Sequence, residues 1–349
     1  MIDGLAGVPA ALSPLGRKDF APNDQVRWCP GCGDHAILTT LQGVLADLGI
    51  RRENVVVVSG IGCASRLPYY LDCYGLHSIH GRAPAIATAI AMARPDLSVW
   101  VVAGDGDALS IGGNHLIHAL RRNVNLNILV FNNRIYGLTK GQASPTSAPG
   151  AITPSTPAGL VDAPFNPIAL ALGAGATFVA RSLDSSRAQL AEVLTAAARH
   201  RGASMVEIYQ NCHIFNDGAF DTLRGPGSGL IPLRDGQPIV FGENDSLGVV
   251  RRPDGSLAVA DVAEVGLPNV VIHDAHATDP GIAFELAQLT DTVALSQAPV
   301  GIFRDVDAPA YDDQARAQVS VADDPTERLA AVQRDITGTD AWTIGAENH

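Results

Sequence analysis

A chain of 349 residues with 46% hydrophobic and 17% charged residues has the makeup of a globular protein with a sizeable core. Its net charge of −12 argues against nucleic acid or an anionic membrane as a partner, while leaving room for a locally basic docking patch. No apolar run approaches the roughly 20 residues that a spanning helix needs, and no basic segment followed by an apolar core opens the chain, so a cytoplasmic protein without disulfides is expected.

Residues 1–28 read as an irregular arm rich in Gly, Pro and Ala. Beyond them, helical patterns alternate with buried strands. Ile37, Leu41, Val44, Leu45 and Leu48 share one face of a helix over 34–48. Residues 55–58, 99–103, 128–131 and 205–208 are continuous apolar runs, as in strands covered on both faces. A helix is expected over 113–121, and a second running from an N-cap at Ser185 through Arg199, closed by Gly202. Residues 143–167, dense in Pro, Ser, Thr and Ala, form a loop long enough to be a lid or a binding loop. Together these predict a parallel α/β domain over 29–225, an irregular C-terminal extension over 226–335, and a flexible tail over 336–349.

In such sheets ligands sit beyond the carboxyl ends of the strands, and the chemistry-bearing motifs fall there. Gly104-Asp105-Gly106-Asp107 follows the 99–103 run, and Asn132-Asn133 ends the next one. The glycines beside Asp105 let backbone amides approach phosphate oxygens. The Asp105 carboxylate and the Asn133 side-chain oxygen suit a hard divalent cation such as Mg²⁺. GDG alone also describes an ordinary turn. GDG followed by NN at this spacing is the motif of thiamine diphosphate enzymes.

Four of the five cysteines stand in loops at element ends: Cys29 and Cys32 in Cys-Pro-Gly-Cys, Cys63 in Gly-Ile-Gly-Cys-Ala-Ser-Arg, and Cys212 in Gln-Asn-Cys-His. Cys73 has apolar neighbours and reads as a packed small hydrophobe. Four thiolates suit Zn²⁺ or a [4Fe–4S] cluster. The single short spacing, with the other two cysteines scattered, fits a cluster shared between distant loops better than a local zinc knuckle.

The segments WCPGCGDHAIL, SGIGCASR, HSIHGRAPAIATAIAMA, GDGDALSIGG, NNRIYGLTKGQASPT and QNCHIFN, in this order, resemble the β subunits of the 2-oxoacid:ferredoxin oxidoreductases. The resemblance runs from Trp28 to Cys212 and more weakly to Asp312. It implies the thiamine diphosphate-binding fold, with Cys29, Cys32, Cys63 and Cys212 holding a [4Fe–4S] cluster. Asp105, Asn133 and the carbonyl of Ile135 would hold Mg²⁺. Ile61, Gly62, Cys63, Ala64, Gly104, Gly106, Asp107, Tyr136, Gly137 and Leu138 would line the cofactor, near His80, Gly81 and Arg82. His80 is a candidate catalytic residue, and Lys140 would face a substrate carboxylate, as in enzymes using 2-oxoglutarate.

The activity implied is coenzyme A-dependent oxidative decarboxylation of a 2-oxoacid, with electrons passing through the cluster to ferredoxin. The glutamate that activates thiamine has no matching motif here, since Glu207 lies in a buried run and Glu53 beside a turn. In the family it comes from an α subunit, so αβ pairs assembled as α₂β₂ are expected. Two rival readings remain: a non-redox thiamine diphosphate enzyme, and a zinc-stabilised scaffold subunit.

Overall fold

The computed structural model describes residues 3–225, 227–319, 324–340 and 342. Its strands are β1 (Val55–Ser59), β2 (Tyr74–His77), β3 (Ser98–Gly104), β4 (Leu126–Asn132), β5 (Phe178–Leu183), β6 (Ala203–Tyr209), β7 (Leu230–Leu233), β8 (Val240–Phe241), β9 (Leu247–Arg251), β10 (Leu257–Asp261) and β11 (Ala298–Asp305). Eight of them form one sheet in the order β2-β1-β3-β4-β6-β5-β11-β7, and β10-β9-β8 form a small antiparallel sheet. Within the main sheet every pairing is parallel except β5 with β11.

The continuous apolar runs are explained by helices on both faces. Val56, Val58, Val101, Ile128, Val130 and Met205 enter a core shared with the helices Ala83–Ala93, Gly113–Arg122 and Pro167–Gly173. Val55, Val57, Val102, Leu129, Val206 and Ile208 pack the other way, with the helices Asp34–Asp47 and Arg187–Arg199. Side-chain alternation along each strand does the sorting.

Three local expectations differ from the structure. The N-cap of Arg187–Arg199 is Ser186 rather than Ser185, with no side-chain hydrogen bond to the first turn. The Gly-Asp-Gly-Asp segment is a short helix, Asp105–Leu109, begun directly at the end of β3. The stretch beyond 225 is partly woven back into the main sheet through β7 and β11.

The expected arm is fastened down over its described residues, 3–28. Phe20 is fully buried, and Gly4 donates its amide to Arg199 O at 2.6 Å. The expected tail overlaps the helix Pro325–Thr337, while residues 341 and 343–349 lie outside the described residues. Among the described residues no helix is long and apolar enough to cross a membrane.

Candidate cofactor and cluster site

Because β1, β3, β4 and β6 run parallel side by side, their carboxyl ends share one edge of the sheet. The segments leaving them carry Cys63, Asp105, Asn133 and Cys212 respectively. Two neighbouring cavities open there, of about 640 Å³ and about 200 Å³.

The larger is lined by residues 61–64, His80, residues 104–107, Asn133 and residues 135–138, nearly the whole set expected around the cofactor. Its volume suits a cofactor-sized ligand. Gly81 and Arg82 stand behind the wall instead: the Gly81 amide donates to Asp107 Oδ1, and Arg82 Nη1 donates to Ile111 O at 3.2 Å. Thr139, Gln142, Ala143 and Ser155 also line this cavity and were not singled out from the sequence.

Asp105 is buried, and its Oδ2 accepts from Ser144 Oγ at 2.6 Å and lies 2.6 Å from Thr146 Oγ1. Thr146 Oγ1 is also 2.8 Å from Asn132 Oδ1, and its single proton serves one acceptor at a time. Burial pushes the Asp105 carboxyl up to about 6, against the pull of these hydroxyls. Such a carboxylate, stripped of water and held in place, suits a cation that would repay its desolvation.

Asn133 Oδ1 accepts from the Ile135 amide at 3.2 Å, across Arg134, whose φ of +60° turns the chain sharply between them. The Gly106 position is required by contact: a Cβ there would lie 2.2 Å from the Tyr136 ring, whose hydroxyl donates to Gly106 O at 3.0 Å. The hydroxyl contacts from 144 and 146 were legible only as a Ser-Pro-Thr run after the strand, which marks a turn without saying what it grips.

The smaller cavity is walled by Cys29, Cys32, Cys63 and Cys212 together. Cys73 lies outside it, partly buried against the core. A Cβ added to Gly137 would stand 3.6 Å from both Cys63 Sγ and Cys212 Sγ, so glycine keeps the space between them clear. Trp28 Nε1 donates to Cys63 O at 2.8 Å and fixes that loop. Burial pushes the Cys63 thiol up to about 12 and the Cys32 thiol higher still, with Asp34 adding to both. Asp34 is itself buried, and that burial raises its carboxyl to about 7 against the pull of the Cys32 thiol. Thiols so placed lose their protons on binding metal.

Lys140 lines this cavity with Arg27 and Arg66, and not the larger one, because its φ of +74° reverses the chain after Gly137.

Comparison with known proteins adds an independent line. A family model described as "Thiamine pyrophosphate enzyme, C-terminal TPP binding domain" matches residues 60–208. Over 342 residues the chain is 59% identical to "2-oxoglutarate oxidoreductase subunit KorB" of Mycobacterium tuberculosis, covering 97% of this chain and 91% of that one. It is 44% identical to "2-oxoacid:ferredoxin oxidoreductase 2, subunit beta" of Aeropyrum pernix, over 57% of this chain and 64% of the relative. Among solved structures it matches "2-oxoglutarate:ferredoxin oxidoreductase from Magnetococcus marinus with 2-oxoglutarate, coenzyme A and succinyl-CoA bound". The TM-score is 0.72 at 34% identity, covering 93% of this chain and 99% of that one.

Proposed function

The chain belongs to the β subunits of the 2-oxoacid:ferredoxin oxidoreductases, and from that premise we propose that it holds thiamine diphosphate with Mg²⁺ in the larger cavity and a [4Fe–4S] cluster in the smaller. Its reaction is the coenzyme A-dependent oxidation of a 2-oxoacid, with 2-oxoglutarate as the substrate its relatives' names point to. The observation that carries this reading is a shared wall. Cys63, Asn133, Gly137 and Leu138 line both cavities, so a group in one is a near neighbour of a group in the other. When bound, thiamine diphosphate supplies the carbon centre at which a 2-oxoacid loses CO₂, and the cluster takes the released electrons singly.

The residues of this chain bind, orient and exclude water. Asp105, Asn133 and the Ile135 carbonyl would hold Mg²⁺, which pairs few protein oxygens with phosphate oxygens. Tyr136 and Leu138 wall the cavity beside them. Cys29, Cys32, Cys63 and Cys212 ring a void instead of meeting at a point. The cavity they wall, about 200 Å³, has room for a cluster as well as for a single ion.

Arg27, Arg66 and Lys140 share the smaller cavity's lining with no carboxylate. In a chain of net charge −12, this positive rim suits an acidic electron carrier such as ferredoxin. No glutamate lines the larger cavity among the described residues. The activating carboxylate would come from the α subunit, in αβ pairs joined as α₂β₂ in the cytoplasm.

The test is metal analysis of the αβ complex purified without oxygen. About four irons and four sulfides per β chain are expected, with turnover of 2-oxoglutarate dependent on added thiamine diphosphate. Cys63→Ser should lose the iron and Cys73→Ser should keep it. Stoichiometric zinc without sulfide would overturn the redox reading, leaving a non-redox thiamine subunit or a zinc scaffold.

A further inference from the structure

We propose that Asp107 is a positioning residue for His80, holding the proton on Nδ1 so that Nε2 is the atom presented to the larger cavity. Its use in catalysis rests on the reading of that cavity given above; the geometry does not. His80 follows β2 and Asp107 sits in the short helix after β3, on either side of β1. Asp107 Oδ1 lies 2.5 Å from His80 Nδ1 and accepts from the Gly81 amide at 2.7 Å.

An amide can only donate, so Oδ1 is an acceptor at this point. With Oδ1 accepting from the Gly81 amide, the proton shared with the imidazole is placed on Nδ1. Neutral His80 then carries its lone pair on Nε2. That atom has no hydrogen-bond partner among the described residues, and the ring lines the cavity with Asp105, Gly106 and Tyr136.

The surroundings leave Asp107 no other position. Its side chain is 1% exposed. A Cβ on Gly60 would fall 1.9 Å from Asp107 Oδ2, and one on Gly112 would fall 2.4 Å from Asp107 O. Gly81 has a φ of +73° and packs on Gly112, where its own Cβ would be 2.5 Å from the amide nitrogen. Gly60 and Gly81 thus close on the carboxylate, and Gly112 on the backbone carbonyl of the same residue, while Oδ1 addresses one imidazole. The other polar groups facing the ring are Tyr136, edge-on at 6.2 Å, and Arg82, whose Nη1 reaches back to His80 O at 3.4 Å.

In use, the imidazolium form of His80 would give its Nε2 proton to the 2-oxo oxygen as that oxygen gains charge, leaving the lone pair on Nε2, which takes the proton back when the carbonyl is restored. The Nδ1–H stays hydrogen-bonded to Asp107 throughout. This is the division of labour between an orienting carboxylate and an acid–base imidazole.

Two measurements test it. In the full β chain without cofactor, a low-field proton NMR signal from the His80 imidazole N–H should be present. It should vanish in both His80→Gln and Asp107→Ala. Its absence from the unmodified chain, or its survival in Asp107→Ala, would overturn the proposal whatever the enzyme does.

In the αβ complex, His80→Gln should lower kcat by about 10²-fold or more. Asp107→Ala should lower it comparably, and the double variant should fall no further than the worse single one. Multiplicative losses would overturn the proposal. So would an Asp107→Ala variant that weakens thiamine diphosphate binding but turns over normally at saturating cofactor. Should Asp107→Ala fail to fold, Asp107→Asn replaces it. The Gly81 amide selects which end of the asparagine faces His80, so this variant should keep the signal and lose about tenfold or less in kcat, as a neutral acceptor replaces a charged one. Loss of the signal in Asp107→Asn would count against the proposal. A correct NMR signature in a complex that does not use 2-oxoacids would remove the functional reading and leave the geometry standing.

Discussion

Breaking the pair Arg181–Glu207 should cost far more stability than removing it. The two residues are register partners on β5 and β6, both fully buried, with Nε donating to Oε2 at 2.7 Å. Arg181 Nη1 also donates to Thr290 Oγ1 at 2.9 Å and Pro299 O at 3.1 Å, and its guanidinium lies over the rings of Tyr209 and Phe303. Glu207 Oε1 accepts from Asn132 Nδ2 at 2.7 Å, and Asn132 Oδ1 adjoins Thr146 beside Asp105. Glu207→Gln keeps the volume, strands a buried cation, and turns an acceptor into a donor on one side. Such a break costs about 3–5 kcal/mol. Arg181→Met should cost a similar amount. The double variant Arg181→Met/Glu207→Gln should lose far less than the sum of the two: the glutamine oxygen can still accept from Asn132, and the loss is that of Thr290 Oγ1 and Pro299 O left without their donor, about 1–3 kcal/mol, a coupling of several kcal/mol in the cycle. At roughly 2–4 °C per kcal/mol for chains of somewhat smaller size, each single variant should melt several degrees to more than ten degrees lower. Thermal melts of the four chains measure it. Additive losses, or single variants within about 2 °C of the parent, would refute the argument. The same burial explains why Glu207 cannot serve thiamine: its oxygens are committed to the core.

Gly106→Ala should displace Tyr136, whose ring carbons lie 2.2 and 2.4 Å from the new methyl. Overpacking of this kind costs about 1–3 kcal/mol, so thiamine diphosphate should bind about 5- to 150-fold more weakly in a fluorescence titration; an unchanged Kd would mean the ring swings away freely. Arg27→Glu and Lys140→Glu should each slow reduction of an acidic carrier, with a flatter salt dependence in stopped-flow traces; an unaltered salt dependence would move the docking face elsewhere. Burial lowers the pKa of His273 from 6.5, its Nε2 bonded to Ile302 O at 2.6 Å. The unfolded chain then takes up the proton first, so this contribution to stability is present above pH 6.5 and is lost as pH falls below it. His273→Gln should flatten the acid side of a plot of melting temperature against pH, and an unchanged slope would acquit His273.

The strands at 55–58, 99–103, 128–131 and 205–208 were legible because each is covered on both faces and so reads as an unbroken apolar run. β2 was not legible, since all of its residues are exposed on the sheet edge and carry no burial pattern. Nor was β5, where Arg181 interrupts the apolar run with a charge that only Glu207, 26 residues on, makes tolerable. Within the site, Cys63, Asp105, Asn133 and Cys212 stood out because strand ends in a parallel sheet converge. The side on which Lys140 falls was hidden, because a lysine at positive φ is a conformation that residue type does not announce.

The adjacency of the two cavities follows from the same topology. Cys63 leaves β1, Gly137 follows β4, and Cys212 follows β6, while β3 lies between β1 and β4 and delivers Asp105. A site built on the end of β3 is therefore flanked by segments that have already brought two thiols toward it. Gly137 lies in the wall itself: it lines both cavities, and a Cβ added there would stand in van der Waals contact, at 3.6 Å, with both Cys63 Sγ and Cys212 Sγ. A side chain longer than alanine's there would intrude on the thiol cavity, and a longer segment would thicken the wall. Were the two proposed groups bound, this glycine at the turn after β4 would lie in the wall that separates them.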